Sequence, residues 1–300
     1  MIYLKLSRWP NVLMTALTQL VIIYGYLPQT GADLALELWQ VALLMISTAL
    51  LTASGNVIND IYDVQTDILN KPDKVLVGKK ITEKKAFNFY IILTILAVVA
   101  GFILANSVGL ASLAAVFIIV SFLLYFYATY LKKVLLLGNL LISVLVGFVV
   151  VITAVFELVP SITEFNRAEQ LAVFQHLLIF ALFAVVVNLL RESIKDCQDI
   201  KGDHATGRNS LAILLGRDRA LKVLAVYTII LLLIMGYFLT TVLYVDRISV
   251  YYTVFLIMAP LMYLGIRLWS SVSTKELAIL SLVCKLVLLT GIIGIAIIKF

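Results

Sequence analysis

The sequence predicts an all-α integral membrane protein with nine transmembrane helices, and three observations predict it. Apolar residues make up 63% of the 300 residues and charged residues only 13%, whereas a soluble domain has about 45–50% apolar and about 25% charged residues. The mean hydropathy is +1.09. The apolar residues gather in long runs that charged or turn-forming segments separate. Too few charges remain to cover a surface that faces water, so the surrounding solvent is lipid.

Nine apolar runs approach the length of about 20 residues that a helix needs to cross a bilayer. Each run is predicted to be a helix, because backbone polar groups inside lipid must bond to one another. The first run is interpreted as a retained signal anchor, since it lacks a small-residue cleavage site. In chain order the runs are Trp9–Leu27, Leu36–Ile58, Ala86–Ala105, Leu110–Tyr130, Leu135–Phe156, Leu171–Leu190, Ala220–Leu243, Ser249–Leu268 and Leu277–Ile298.

The loop charges predict the orientation of the chain in the membrane. With nine spans, 19 of the 23 Lys and Arg residues fall on the side that holds the N-terminus. The positive-inside rule places that side in the cytoplasm, and we expect the protein in the inner membrane of the cell. The net charge of +6 is spread over short loops, which argues against nucleic-acid binding. Cys197 and Cys284 are predicted to be free thiols.

Six of the 17 acidic residues are Asp residues in two short clusters, each at the cytoplasmic end of a span. In the first cluster the spacing i, i+4, i+8 relates Asn59, Asp63 and Asp67, and in the second the spacing i, i+3, i+7 relates Asp196, Asp199 and Asp203. On a helix each set would share one face. Like charges on one face repel, and oxygen ligands without a Cys/His cluster suit Mg²⁺, Ca²⁺ or Mn²⁺. Solvated loop charges are the alternative. The candidate metal ligands are Asn59, Asp60, Asp63 and Asp67 in the first cluster, and Asp196, Asp199 and Asp203 in the second.

Basic and polar residues surround both clusters at the same predicted membrane face. Carboxylates that hold Mg²⁺, together with Lys and Arg, form a clamp for a diphosphate. The surrounding lipid indicates a substrate with an apolar tail, and a prenyl diphosphate has both parts. Ordinary topology charges are the alternative for each cation, and Lys133 remains the alternative to Lys132. The candidate diphosphate-binding residues are Arg8, Asn11, Lys74, Lys132, Lys195 and Arg208.

Three further residues near the predicted membrane face or inside a span have open roles. Tyr127 and Tyr130 could flank the reacting carbon, where an aromatic face stabilises an allylic cation. Interfacial tyrosines of the aromatic belt are the alternative interpretation. Lys285 lies inside the last run; an intramembrane Lys indicates function, and snorkelling to the cytoplasmic surface is the alternative.

The order of the segments predicts a tandem arrangement within one domain that covers residues 1–300. Spans two to five and spans six to nine each begin with a helix that ends in an Asp cluster, followed by a basic loop. Because four spans is an even number, the two four-helix halves are predicted to run parallel, which brings both clusters to one side of the membrane.

The two clusters resemble the motifs of the UbiA superfamily of intramembrane prenyltransferases. The motif NDxxDxxxD stands at Asn59–Asp67 and DxxDxxxD at Asp196–Asp203, and the first span opens with Arg8-x-x-Asn11. The resemblance implies nine helices around a central cavity, with the Asp motifs beneath a cytoplasmic cap. It further implies Mg²⁺-dependent transfer of a prenyl group from a prenyl diphosphate to a lipophilic acceptor, with no protein partner inferred. The implied catalytic residues are Asp63, Asp199, Tyr127 and Lys132.

The amino-acid sequences of three segments are most similar to those of the digeranylgeranylglyceryl phosphate synthase branch of that superfamily. These segments are Gly55–Asp60, Asn70–Lys74 and Arg191–Asp196, whereas Val77 stands where the branch usually has Pro. The branch implies geranylgeranylglyceryl phosphate as the acceptor. An aromatic acceptor of quinone biosynthesis is the alternative within the superfamily.

Two other classes of membrane protein fit the sequence less well. A CDP-alcohol phosphotransferase would carry a DGxxAR-type motif, which this sequence lacks. A cation transporter would place its carboxylates near the bilayer midplane, whereas all six motif Asp residues lie at span ends. The sequence therefore favours a prenyltransferase.

Overall fold

The computed structural model describes residues 1–270 and 272–299, so positions 271 and 300 of the predicted domain lie outside the described residues. Within the described residues the chain is helical, with no β-structure beyond one isolated bridge between Val77 and Ile81. Nine of the described helices are long and apolar enough to cross a membrane. The prediction of an all-α membrane protein with nine spans is confirmed.

The first five spans are built from seven α-helices with short 3₁₀ turns between them. A π-helix, Val21–Tyr26, continues the first span after α2. A 3₁₀ turn, Leu131–Lys133, follows α6. The α-helices are α1 (Ile2–Leu6), α2 (Trp9–Leu20), α3 (Leu38–Tyr62), α4 (Val64–Asn70), α5 (Glu83–Ser107), α6 (Ala114–Thr129) and α7 (Leu137–Leu158).

The last four spans contain six α-helices, of which the first is the longest described helix of the chain. A π-helix, Thr253–Met258, joins α11 to α12 within the eighth span. The α-helices are α8 (Arg167–Ala205), α9 (Leu211–Leu215), α10 (Arg217–Thr241), α11 (Arg247–Tyr252), α12 (Ala259–Trp269) and α13 (Thr274–Ile297).

Helix α8 continues far beyond the predicted end of the sixth span at Leu190. The residues that follow are polar and charged, but none of them is Gly or Pro before Gly202, so nothing interrupts the backbone hydrogen bonds at the membrane face. The whole second Asp cluster therefore lies on this helix. Hydropathy located the apolar part of the helix but not its end.

The first Asp cluster does not lie on one uninterrupted helix. Asp63 is the junction between α3 and α4, with φ −93° and ψ −1°. The hydrogen bonds nevertheless continue, since the Asp63 N–H donates to the Asn59 carbonyl (2.9 Å) and the Asp67 N–H donates to the Asp63 carbonyl (2.8 Å). The predicted i, i+4, i+8 relation is thus kept by hydrogen bonding, with a local change of backbone angle at its middle residue.

The chain divides into two compact units that differ from the predicted halves. Unit 1 consists of Met1–Lys132 and Phe148–Leu177, and unit 2 of Lys133–Gly147 and Leu178–Phe300. The division falls inside α7 and inside α8 instead of between them. The arrangement in two parallel four-helix halves is not confirmed and stays a prediction.

The core of unit 1 depends on close packing between α5 and α6. Gly101 of α5 faces the ring of Phe117, where an added Cβ would lie 2.3 Å from a ring carbon. Phe117 is 1% exposed and contacts the ring of Phe156 at a centroid distance of 5.9 Å. A residue without a side chain is therefore required at position 101.

Gly101→Ala should destabilise the protein, because the ring of Phe117 cannot move out of a filled core. We expect a loss of about 1–3 kcal/mol in the free energy of unfolding. The control is Gly236→Ala in α10, where an added Cβ meets no atom within 4 Å, and where Ala instead favours a helix by roughly 0.5–1 kcal/mol. Thermal unfolding in detergent measures both. Equal stability of Gly101→Ala and the wild type would contradict the close approach.

Candidate active site

Asp63 is the best-partnered residue of the first cluster, which lies in unit 1. Its carboxylate is buried, and Oδ2 accepts a hydrogen bond from Asn59 Nδ2 at 2.6 Å. Its Oδ1 lies 2.6 Å from Nζ of Lys132, and both side chains of this ion pair are almost fully shielded from solvent. Lys132 comes from the 3₁₀ turn after α6, whereas the side chain of Lys133 is exposed. Of the two lysines that the sequence left open, Lys132 contacts the first cluster.

Asp60 is held by Arg8 from the turn between α1 and α2. The Arg8 guanidinium donates to Asp60 Oδ1 at 2.5 Å. The backbone of Arg8 is left-handed, with φ 49° and ψ 58°, a conformation that costs a residue with a side chain about 1–2 kcal/mol. Asn56 of α3 donates from Nδ2 to the carbonyl of Ser7 at 3.0 Å, which fixes this turn against α3. Such strain is typical of residues that a function requires in one place.

The first cluster holds more negative charge than its described ion pairs compensate. Burial raises the pKa of the Asp67 carboxyl above its ordinary value, and the neighbouring carboxylates of Asp63 and Asp60 raise it further. Asn59 Oδ1 is buried and accepts no hydrogen bond from any residue that the structure describes. A leftover acceptor beside carboxylates that repel one another is what a hard, oxygen-binding cation requires. The residues therefore fit Mg²⁺.

The side chains are turned toward cations of the protein itself. In the described part of the chain, no three His, Cys, Asp or Glu side chains converge as a metal-binding group would. Asp60 instead turns to Arg8 and Asp63 to Lys132. The ammonium and guanidinium groups thus supply positive charge where the sequence predicts a metal.

The remaining candidates in unit 1 differ in their surroundings. Asn11 lies in the first turn of α2, and its N–H donates to the Arg8 carbonyl at 2.8 Å. Lys74 is exposed at the end of a short 3₁₀ turn. Tyr127 of α6 packs, partly buried, against the apolar cluster beneath the site. Tyr130 is 59% exposed and stacks on a neighbouring ring of its own segment, which fits an interfacial tyrosine better than a residue of the site.

The second cluster lies on α8 in unit 2. Asp196 Oδ2 accepts a hydrogen bond from Nδ2 of Asn139 in α7 at 2.7 Å. Asp203 is buried, and its Oδ1 lies 3.2 Å from the guanidinium of Arg208. Asp199 lies on the same helix between these two residues. Each end of the cluster is therefore oriented by a side chain from another segment.

A helix-ending turn at Gly207 places Arg208 over the second cluster. Gly207 has φ +70°, its N–H donates to the His204 carbonyl, and the Arg208 N–H donates to the Asp203 carbonyl at 3.0 Å. This hydrogen-bond pattern is the Schellman motif. It requires a left-handed residue, which glycine adopts without strain. The turn folds the chain back, so that backbone and side chain of Arg208 both meet Asp203.

Lys195, predicted to contact a diphosphate, is engaged elsewhere on its own helix. Its Nζ lies 2.8 Å from Oε2 of Glu192, and the guanidinium of Arg191 lies 2.5 Å from Oε1 of the same carboxylate. The role of Lys195 in diphosphate binding stays a prediction. Lys285 is partly buried on α13, and its role likewise stays a prediction.

Two residues that orient the clusters were missed from the sequence. Asn139 holds Asp196 and Asn56 holds the turn that carries Arg8. A signal for Asn139 was present, because an Asn near the start of an apolar span is unusual and indicates a polar partner. For Asn56 only its place one turn before the first cluster could have indicated a role. The two cysteines are free, as predicted, and the structure shows that both are buried.

Comparison with known proteins agrees with the geometry of the site. The profile of the UbiA prenyltransferase family matches residues 13–289. The chain is similar to the digeranylgeranylglyceryl phosphate synthase of Methanobrevibacter smithii, with 30% identity over 232 residues, which cover 77% of this chain and 74% of that protein.

Solved structures have the same fold. A UbiA homologue from Aeropyrum pernix matches with a TM-score of 0.68 at 17% identity, covering 95% of either chain. A UbiA homologue from Archaeoglobus fulgidus, solved with DMAPP and Mg²⁺ bound, matches with a TM-score of 0.59 at 20% identity. That match covers 98% of this chain and 99% of the homologue.

Lys132→Met should destabilise the metal-free protein, because it leaves the buried carboxylate of Asp63 without its ammonium partner. We expect a loss of about 3–5 kcal/mol in the free energy of unfolding. The exposed neighbour provides the control, since Lys133→Met should change stability by less than about 0.5 kcal/mol. Denaturant unfolding in detergent with EDTA measures both. If the two variants were equally stable, Lys132 would not be the partner of Asp63.

Proposed function

The chain belongs to the UbiA prenyltransferase family, and from this premise we propose that it transfers a prenyl group from a prenyl diphosphate to a lipid acceptor, with Mg²⁺ bound by its Asp clusters. The observation that supports the proposal most directly is the first cluster. It combines buried carboxylates, an unpartnered amide oxygen on Asn59, and the cationic side chains of Arg8 and Lys132.

Mg²⁺ would be held by the oxygen atoms of the clusters. Asn59 Oδ1 and the carboxylates of Asp63 and Asp67 are the proposed ligands of the first cluster, and Asp199 and Asp203 those of the second. Asp60 and Asp196 are already hydrogen-bonded to Arg8 and Asn139, so we propose that they orient their clusters. When bound, Mg²⁺ would offset charge on the diphosphate and favour its departure.

Cationic side chains of the protein itself would also contribute to the reaction. The C1–O bond of the donor breaks, an acceptor hydroxyl forms a new bond to C1, and diphosphate and a proton are released. Lys132 and Arg8 lie beside the carboxylates, where their charge would stabilise the leaving diphosphate. The apolar residues packed beneath the first cluster, with Tyr127 among them, would exclude water from the allylic cation.

Geranylgeranylglyceryl phosphate is the acceptor that we propose, with geranylgeranyl diphosphate as donor. The name of the Methanobrevibacter smithii relative supports this choice. A phosphorylated acceptor also needs cations besides those that bind the donor, and the segment after the first cluster has several. They are Lys71, Lys74, Lys79, Lys80, Lys84 and Lys85. An aromatic acid would need one cationic partner only.

The orientation that we propose places the N-terminus and both Asp clusters on the cytoplasmic side of the cell's inner membrane. The excess of Lys and Arg on that side supports it. Diphosphate donors and Mg²⁺ would then reach the clusters from the cytoplasm.

Removal of the metal should abolish turnover, and removal of one ligand charge should reduce it strongly. We expect no product in excess EDTA and full recovery on addition of Mg²⁺. Asp63→Asn and Asp199→Asn should each lose about 2–4 kcal/mol of transition-state stabilisation, measured as kcat/KM with radiolabelled donor. The matched control is Asp218→Asn, at an exposed carboxylate in the first turn of α10, which should retain activity. If either cluster variant turned over near the wild-type rate, that cluster would not bind the catalytic metal.

The acceptor is tested by product analysis. Purified protein receives geranylgeranyl diphosphate with geranylgeranylglyceryl phosphate, 4-hydroxybenzoate or dihydroxynaphthoate, and the extracted lipids are identified by mass spectrometry. We expect ether-lipid product from the first acceptor. Prenylated aromatic product alone would overturn the acceptor assignment, whereas the assignment of the reaction as prenyl transfer would still hold. No product from any acceptor with Mg²⁺ present would contradict the proposed function as a whole.

A further inference from the structure

Three charged residues form a compact group on α8, between the predicted end of the sixth span at Leu190 and the second Asp cluster, which begins at Asp196. Arg191 and Lys195 both contact the carboxylate of Glu192, at 2.5 Å and 2.8 Å. All three side chains are largely shielded, with exposed fractions of 21%, 29% and 13% for Arg191, Lys195 and Glu192. One carboxylate thus serves two cations within a membrane-spanning helix.

Arg191 retains a donor that the protein does not satisfy. Its Nε–H is buried and has no hydrogen-bond acceptor in the described part of the chain. Neighbouring residues on a helix do not face each other, so Arg191 reaches Glu192 by bending along its own helix. That contact uses one terminal nitrogen of a group with five N–H donors. A buried, unsatisfied donor on a charged group is costly, which indicates an acceptor supplied by a ligand.

A second carboxylate lies beside this group, because Asp196 is within electrostatic range of both Glu192 and Lys195. Arg191 is within electrostatic range of Cys284 on α13, which is fully buried. The unsatisfied Nε–H of Arg191, and not an excess of positive charge, is therefore what favours an anion here.

The position on the helix separates this anion from one bound at the Asp cluster. Arg191 precedes Asp199 by eight residues, about 12 Å along the helix axis. The spacing i, i+8 puts both residues on the same face of α8. This distance exceeds the length of a diphosphate, so a group bound at Asp199 does not also satisfy Arg191. An anion at Arg191 would therefore lie nearer the apolar part of α8 than one at Asp199.

We propose that Arg191 binds the phosphate of the acceptor lipid and selects phosphorylated acceptors over their neutral alcohols. The proposal rests on the proposed function, which supplies an acceptor with a phosphate monoester. The planar guanidinium presents Nε–H together with a terminal N–H, a pair of donors that matches two phosphate oxygens. Glu192 holds the other edge of Arg191 and orients it.

The test measures the KM for the acceptor and the KM for the donor separately. Arg191→Met removes the charge and retains the stem of the side chain, whereas Arg191→Lys retains the charge without the paired donors. Each variant is assayed with geranylgeranyl diphosphate and either geranylgeranylglyceryl phosphate or geranylgeranylglycerol. The matched control is Arg267→Met, which removes an Arg from an exposed ion pair with Glu276 in the same unit. Thermal unfolding in detergent shows whether each variant is folded.

We expect the wild type to prefer the phosphorylated acceptor. Arg191→Met should raise the KM for that acceptor about 10- to 100-fold, change the KM for the donor less than about twofold, and leave turnover of the neutral alcohol unchanged. Arg191→Lys should have a KM for the phosphorylated acceptor between those of the wild type and Arg191→Met. If Arg191→Met does not fold, the KM of Arg191→Lys tests the role of Arg191. Arg267→Met should match the wild type.

Two outcomes would overturn the inference without touching the proposed function. One is a rise in the donor KM alone, which would assign Arg191 to the donor's diphosphate. The other is a preference for the phosphorylated acceptor that persists in both Arg191 variants. A wild type that turns over only aromatic acceptors contradicts the proposed acceptor itself, and the product analysis distinguishes that case.

Discussion

Negative charge buried at the ends of apolar helices is the constraint on which the rest of this structure depends. A carboxylate that leaves water without a compensating group costs several kcal/mol, so each one must meet a donor from another segment. Turns, helix ends and the positions of isolated polar residues in the spans follow from that need. The pairs are Asp60 with Arg8, Asp63 with Lys132, Asp196 with Asn139, and Asp203 with Arg208.

These pairs explain why the clusters can be ordered in a protein without metal and still be suited to bind one. The cationic partners hold the carboxylates in place and offset the like-charge repulsion within each cluster. They leave an unpartnered oxygen on Asn59 and a carboxyl on Asp67 whose pKa burial and neighbouring charge raise. A metal ion would therefore enter a group of ligands that is already positioned.

The sequence predicts the helical spans well because lipid imposes a simple requirement on length and hydropathy. It also predicts which residues form the clusters, since charged residues are scarce and their spacing is regular. It could not predict that Lys132 and not Lys133 turns to Asp63, because one residue of rotation in a 3₁₀ turn decides this. Nor could it predict the left-handed turn at Arg8, which a hydrogen bond from Asn56 stabilises across a long stretch of sequence.

The continuity of α8 has a consequence for how this protein can change in evolution. Between Arg191 and Asp203 every residue advances the helix by about 1.5 Å and turns it by about 100°. Insertion or deletion of a single residue there would rotate one set of charges away from the other, while any substitution that retains the helix would leave their relation intact. Gain and loss of residues are therefore excluded from this stretch of α8. The side chains between its charged residues can change, but the number of residues is fixed.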